Sequence, residues 1–158
     1  MRFLTSLLIW TAGIIITASA FLASLLIKIM PLPISNRAKL VHAQCFWWSD
    51  AVIGLNPYWK LEISGLNNVD KKRTYIIIAN HQSLADIVLA YQTKMQFKWV
   101  AKESLFKIPF LGWSMALAKH IKLQRESLGS IKKVYRESGH WLRNGVSILF
   151  FPGERTKR

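Results

Sequence analysis

A single cysteine, Cys45, excludes an internal disulfide and leaves the chain compatible with a reducing compartment. The four histidines, His42, His81, His120 and His140, are scattered and have no Cys or Glu at ligand spacing, which argues against a metal site. Acid is scarce: 8 Asp and Glu stand against 22 Lys and Arg, a formal net charge of +14. That balance points to an anionic partner, whether phospholipid head groups, a phosphorylated substrate or nucleic acid. The excess is uneven, because from Lys94 onward 14 basic residues face 4 acidic ones, a net of +10. No nucleic-acid reading motif accompanies the charge, so nucleic acid is set aside as a partner. Repeats and low-complexity segments are missing too.

What the chain does have, first, is a long apolar run. Residues 3–27 carry no charge and are bounded by Arg2 and Lys28. A helix of that length rises about 1.5 Å per residue and can cross a hydrocarbon core of about 30 Å with some tilt. A cleaved signal peptide is the rival, since Ala18-Ser19-Ala20 resembles a cleavage site. The hydrophobicity nevertheless runs on past that site, and the preceding region holds one Arg. Lys28, Arg37 and Lys39 outnumber Arg2, which places the remainder in the cytoplasm and the protein at the cell membrane. Entry into one leaflet with a bend at Pro31 and Pro33 is the alternative. The expected organisation is a membrane-embedded helix over 1–30, an aromatic-rich interfacial segment over 31–58, and one α/β domain over 59–158. In the middle segment Ser35 or Asn36 caps a helix to about Ile53, and Phe46, Trp47, Trp48, Tyr58 and Trp59 suit either a head-group layer or an ordinary core.

The rest of the chain is organised around residues 75–94. Tyr75 to Ala79 is a short β-branched stretch of the kind that forms a buried strand, and Leu84, Ile87, Val88 and Tyr91 follow at helical spacing. His81 and Asp86 therefore sit at a strand-to-helix junction, where α/β sheets open their crevices. Two compatible readings stand. Ser83 and Asp86 form a capping box. Alternatively, Asp86 also orients the His81 imidazole as a base for a hydroxyl.

Further strands are expected at residues 59–64, 97–100 and 146–151, giving a β-β-α-β order and a mixed sheet flanked by helices. Residues 104–123 read as a helix broken by Pro109 and Gly112, whose Phe106, Ile108, Phe110, Leu111 and Trp113 line an acyl-chain groove or form core. Residues 127–144 read as an amphipathic helix closed by Gly145.

Together these stretches resemble the glycerolipid acyltransferase family, in particular the 1-acylglycerol-3-phosphate (lysophosphatidate) acyltransferases. NHQSLADI from Asn80 matches the family's Asn-His-x-x-x-x-Asp block. KESLFKIPFLGW from Lys102, and IKLQRE ending in Arg125 and Glu126, look like its second block. FPGERT from Phe151 is close to its Phe-Pro-Glu-Gly-Thr-Arg block, with the Glu lost, so that Gly153 and Arg155 stand for the family's Gly and Arg. The resemblance implies that His81 and Asp86 are catalytic and that Lys102, Arg125, Gly153 and Arg155 bind substrate. It further implies acyl-CoA or acyl-carrier protein as donor, a lysophospholipid acceptor in a phospholipid membrane, and no cofactor. Family members continue past the third block, so the domain is expected to be C-terminally incomplete, with the Val146 strand left as an unpaired edge.

Overall fold

The structure, a computed structural model, describes residues 2–80, 83, 85–124 and 127–151. Two long helices, α1 (Arg2–Ile29) and α2 (Ile34–Gly54), precede an α/β unit. That unit contains β1 (Ile76–Ile78), α3 (Ala85–Ala90), β2 (Phe97–Lys102), α4 (Leu111–Leu117), β3 (Ile121–Leu123), α5 (Leu128–Arg143) and β4 (Ser147–Phe150). The strands form one sheet in the order β1-β4-β2-β3, and each of these pairings is parallel. Ile78 and Val100 both lie opposite Phe150, and Lys102 lies opposite Leu123.

Period-two alternation sends successive side chains to opposite faces. Phe97, Trp99, Ala101 and Leu149 join one buried cluster with Trp48 of α2, Ile87 and Val88 of α3 and Met115 of α4. Val100, Ile121 and Ile148 join a second cluster with Val134 and Trp141 of α5. These strands are buried on both faces, as parallel sheets require. α5 begins where Ser127 accepts from the Ser130 amide and ends at Asn144, with Gly145 in the left-handed conformation at φ 72°.

Several expectations fail. The second helix starts at Ile34 with Pro33, not Ser35 or Asn36, at its cap position, and Ile121–Leu123 is a strand and not the end of a helix. The described strands alternate with helices in an all-parallel sheet, not in a β-β-α-β mixed one. Residues 59–64 form no strand and pair with none among the described residues; Trp59, Leu61 and Ile63 stay substantially exposed. Alternation supplies a face, whereas a strand also needs a ladder partner, and the described residues provide none there. The strand after Val146 is not an edge. The α5 crossover returns it to the middle of the sheet, between β1 and β2, where it is paired on both sides. The exposed flank belongs to β1, whose Ile76 and Ile78 are 62% and 71% exposed.

α1 and α2 form an antiparallel hairpin. Trp48 Nε1 donates to Thr17 Oγ1 at 3.1 Å, Gln44 Nε2 donates to Ser24 Oγ at 2.8 Å, and the Arg37 guanidinium donates to the Lys28 carbonyl. α1 also touches α4, with the Phe21 ring 5.4 Å from Trp113 and 5.9 Å from Phe110. α2 presents Ala38, Val41, His42, Trp48 and Ser49 to the α/β unit and leaves Trp47 exposed. Ser49 donates to the Val88 carbonyl at 2.7 Å, and Lys94 bonds Asp50 at 2.6 Å.

One core residue breaks the apolar pattern. Alternation turns Lys98 into the α5-side cluster, where it is fully buried. Its Nζ donates to the Ala118 carbonyl at 2.6 Å and lies 4.4 Å from the centre of the Trp141 ring. Burial pushes its pKa down to about 7. The unfolded chain then binds more protons than the folded one from pH 7 up towards the free-lysine value, so stability rises with pH across that window. Cys45 and Tyr91, whose pKa values burial raises, act in the opposite sense above about pH 9. Thermal unfolding is expected to show a gain on the order of 2 kcal/mol between pH 7 and 9. Lys98→Met is expected to flatten that slope; an unchanged slope would refute the assignment.

Candidate active site

Parallel pairing points every strand's carboxyl end at the same edge, and each motif block leaves from one of those ends. His81 follows the last residue of β1 by three positions, Arg125 follows β3 by two, and Gly153 and Arg155 follow β4 by three and five. Lys102 is itself the last residue of β2. With neighbouring strands about 4.8 Å apart, the ends of β1 and β3, three gaps from one another, are roughly 14 Å apart. His81, Arg125, Gly153 and Arg155 lie outside the described residues; Asp86 and Lys102 are described.

The β1–α3 junction shows how Asp86 is held. The β1 ladder runs on to Ala79, whose amide donates to the Phe150 carbonyl at 3.1 Å. The Ser83 amide donates to Asp86 Oδ2 at 2.8 Å, and the Ala85 amide donates to Ser83 Oγ at 3.2 Å. This is the reciprocal cap expected from the sequence, and it fixes the carboxylate over the turn that joins β1 to α3. Ile87 and Val88 anchor the same helix in the core. The cap consumes the Ser83 and Ala85 amides, and the Asp86 amide bonds the Ser83 carbonyl at 3.2 Å. These three groups are therefore not free to stabilise an oxyanion.

At the other side of the edge, Lys102, Glu103, Lys107, Gln124 and Ser127 line an open cleft of about 550 Å³. Lys102 is exposed there, and Gln124 Nε2 donates to the Glu103 carboxylate. Lys107 was not singled out in the sequence, although its place five residues after Lys102 in the same block was the available signal. The cleft carries two lysines against one carboxylate among these residues, which suits an anionic group.

Of the two readings of residues 106–113, packing is the one the structure supports. Phe106 is core, and Phe110 and Trp113 form the contact with Phe21 of α1. An apolar groove of about 320 Å³ instead runs between Ile9, Trp10 and Gly13 of α1, Val52 of α2, and Ala85 and Val88 of α3. Its α3 wall is adjacent in sequence to Asp86.

Comparison with known proteins places the family and the fold. A family model described as Acyltransferase matches residues 60–158. The chain is 32% identical over 123 residues to the chloroplastic 1-acyl-sn-glycerol-3-phosphate acyltransferase LPAT1 of Arabidopsis thaliana, covering 77% of this chain and 34% of that protein. It is 28% identical over 146 residues to the 1-acyl-sn-glycerol-3-phosphate acyltransferase of Pseudomonas aeruginosa, covering 88% and 55%. The crystal structure of the 1-acyl-sn-glycerophosphate acyltransferase PlsC of Thermotoga maritima superposes with a TM-score of 0.72 at 25% identity, covering 98% of this chain and 63% of that one. The chain thus spans from about a third to under two thirds of the length of these proteins.

Gly112, in the IPFLGW stretch, packs the turn that carries Lys107 onto α4. A Cβ there would stand 2.5 Å from the Leu105 carbonyl oxygen and from the Phe106 carbonyl carbon, both backbone atoms. Gly112→Ala is expected to destabilise the protein by about 2–3 kcal/mol, read as a lowered unfolding midpoint; an unchanged midpoint would contradict this packing.

Proposed function

Because the chain belongs to the Acyltransferase family, we propose that it moves an acyl group from a thioester donor to the free hydroxyl of lysophosphatidate, giving phosphatidate for phospholipid synthesis. What carries the reading is the single edge shared by four parallel strand ends, from which the motif blocks depart with the Asp86 carboxylate fixed at the first of them.

In this mechanism His81 accepts the proton of the acceptor hydroxyl while Asp86 holds the ring and stabilises its charged form. The hydroxyl oxygen attacks the thioester carbonyl carbon, the carbon–sulfur bond breaks, and the thiol leaves with the proton returned by the imidazolium. The acceptor is its own nucleophile, so no acyl-enzyme forms. Arg125 and Arg155 hold the acceptor phosphate by paired N–H donors, Gly153 lets the backbone approach it, and Lys102 adds positive charge beside it. Acyl-CoA or acyl-carrier protein is the donor, and the α1–α2–α3 groove takes an apolar chain.

The acceptor lives in a bilayer, and α1 provides the attachment. It is the one helix among the described residues long and apolar enough to cross a membrane, over Phe3–Ile29. Its Ala20 and Ser24 are buried against the rest of the protein, and Thr17 is tied to α2. The opposite stripe is bare along the whole helix, with Phe3, Leu7, Ile14, Leu22, Leu26 and Ile29 all more than half exposed, so it reaches the elbow with α2. On this reading α1 lies with that bare stripe in one leaflet, and the α/β unit faces the cytoplasm, as the excess of Lys28, Arg37 and Lys39 over Arg2 suggests.

Membranes carrying the chain, given labelled acyl-CoA and lysophosphatidate, are expected to form phosphatidate. His81→Ala is expected to slow the reaction on the order of 10²- to 10⁴-fold, and Arg125→Ala to raise KM for the acceptor. Ser83→Ala is expected to lower stability by about 1 kcal/mol while sparing most activity. Phosphatidate formation indifferent to His81 would overturn the mechanism. A second reading follows from the altered FPGERT block: intact binding to anionic vesicles with no His81-dependent product identifies a membrane-binding protein without catalysis.

A further inference from the structure

Away from the motif-bearing edge, three cations surround one pocket. Lys28 lies in the last turn of α1, Arg37 in the first turn of α2, and Lys119 in the link from α4 to β3. They line a cavity of about 170 Å³ together with Ile34 and Val41, and no Asp or Glu is among its described lining residues. Three like charges around a shared hollow repel one another unless an anion sits between them. The Arg37 side chain and the Lys119 backbone are fixed. The Arg37 guanidinium donates one bond to the Lys28 carbonyl, which leaves further N–H groups of its planar fork for an acceptor. Lys119 has a φ of 58°, a conformation disfavoured outside glycine, and its amide bonds the Ala116 carbonyl at 3.1 Å.

The surroundings point to the kind of anion. Ile29, Met30 and Ile34 flank the cations and are 78%, 42% and 62% exposed, so charge and bare apolar surface meet at the elbow between α1 and α2. A free phosphate has no use for the apolar rim, whereas a lipid fills both. The pocket is also a separate place from the catalytic edge. Lys119 precedes β3 and Lys98 near the start of β2 reaches the Ala118 carbonyl, so the pocket lies at the amino ends of the strands. A six-residue strand such as β2 is about 20 Å long, too far for one head group to serve both ends.

We propose that Lys28, Arg37 and Lys119 form a second, non-catalytic site for the phosphate of an anionic phospholipid. It pins the elbow of the hairpin to the membrane surface while the acceptor lipid is engaged at the other end of the sheet. The proposal rests on the reading that α1 lies in one leaflet, and its test uses binding, not acyl transfer.

The full chain is bound to phosphatidylcholine vesicles with and without phosphatidylglycerol, as wild type, as Arg37→Gln/Lys119→Gln, and as Lys132→Gln/Lys133→Gln, which removes equal charge from α5. A basic residue held at an anionic surface is worth about fivefold in binding. The elbow pair is expected to weaken binding to the anionic vesicles at least tenfold and to leave phosphatidylcholine binding and activity on detergent-dispersed substrate unchanged. The α5 pair is expected to weaken it less than threefold. Equal losses from the two pairs, or no loss from the elbow pair, overturn the site. Thermal protection by inorganic phosphate that the elbow pair abolishes, without any vesicle effect, overturns the lipid assignment in favour of a free anion. His81→Ala is expected to bind as wild type does, so loss of catalysis alone leaves this result standing.

Discussion

Parallel pairing is the constraint from which the rest follows. Antiparallel strands deliver their ends alternately to two edges; here β1, β4, β2 and β3 all run the same way, and their carboxyl ends meet along one side. Strand ends as far apart in the chain as Ile78 and Phe150 are thereby brought to one edge. The same pairing dictates cover on both faces, which is why α2, α3 and α4 occupy one side and α5 the other, and why Phe97 and Trp99 are as deeply buried as Val100 and Ile148.

Local features were legible where a residue's own backbone chemistry decides them. Ser127 and Gly145 mark the ends of α5, and Ser83 with Asp86 marks the start of α3, because caps and left-handed turns depend on neighbours in sequence. The Tyr75 stretch was readable as a strand from its β-branched run closed by a polar cluster, but its burial was not, because β1 lies at the flank of the sheet with Ile76 and Ile78 exposed. Pairing was not readable. The alternation at residues 59–64 is a good strand pattern that lacks a partner, and the final strand looked like an edge because nothing in SILF tells where a crossover will insert it. Lys98 was equally opaque: a lysine inside FKWVAK reads as a solvent-facing position until the α5 packing turns that face into core. Of the site, the carboxylate and Lys102 could be followed into the fold, and the cleft beside Lys102 added Lys107 and Gln124, which become neighbours only when β2 and β3 pair.

The α1–α2 hairpin reconciles two readings of the amino-terminal third. Thr17 and Ser24 are minor interruptions in an apolar run, yet both face α2, where Trp48 and Gln44 donate to them. One stripe of α1 thus behaves as a protein-packing surface while the remainder, from Phe3 through Ile14 and on to Leu26, stays bare. α2 is the complementary case, with His42 and Ser49 in the interior and Trp47 outside. Hydropathy averages over a helix's circumference, so it could not separate these stripes.

The position of β4 carries a consequence for how the molecule comes into being. It follows the other described strands in the chain and is the one that joins β1 to β2, so until it is made β1 has no ladder partner, whereas β2 and β3 can already pair. Assembly must wait for a contact spanning some seventy residues, Tyr75 to Ile148, and late, non-local closure of this kind is slow. Until that contact forms, β1 and its isoleucines stay outside the ladder that β2 and β3 share, which makes β1 the part of the sheet most open to wrong pairing while the chain is made.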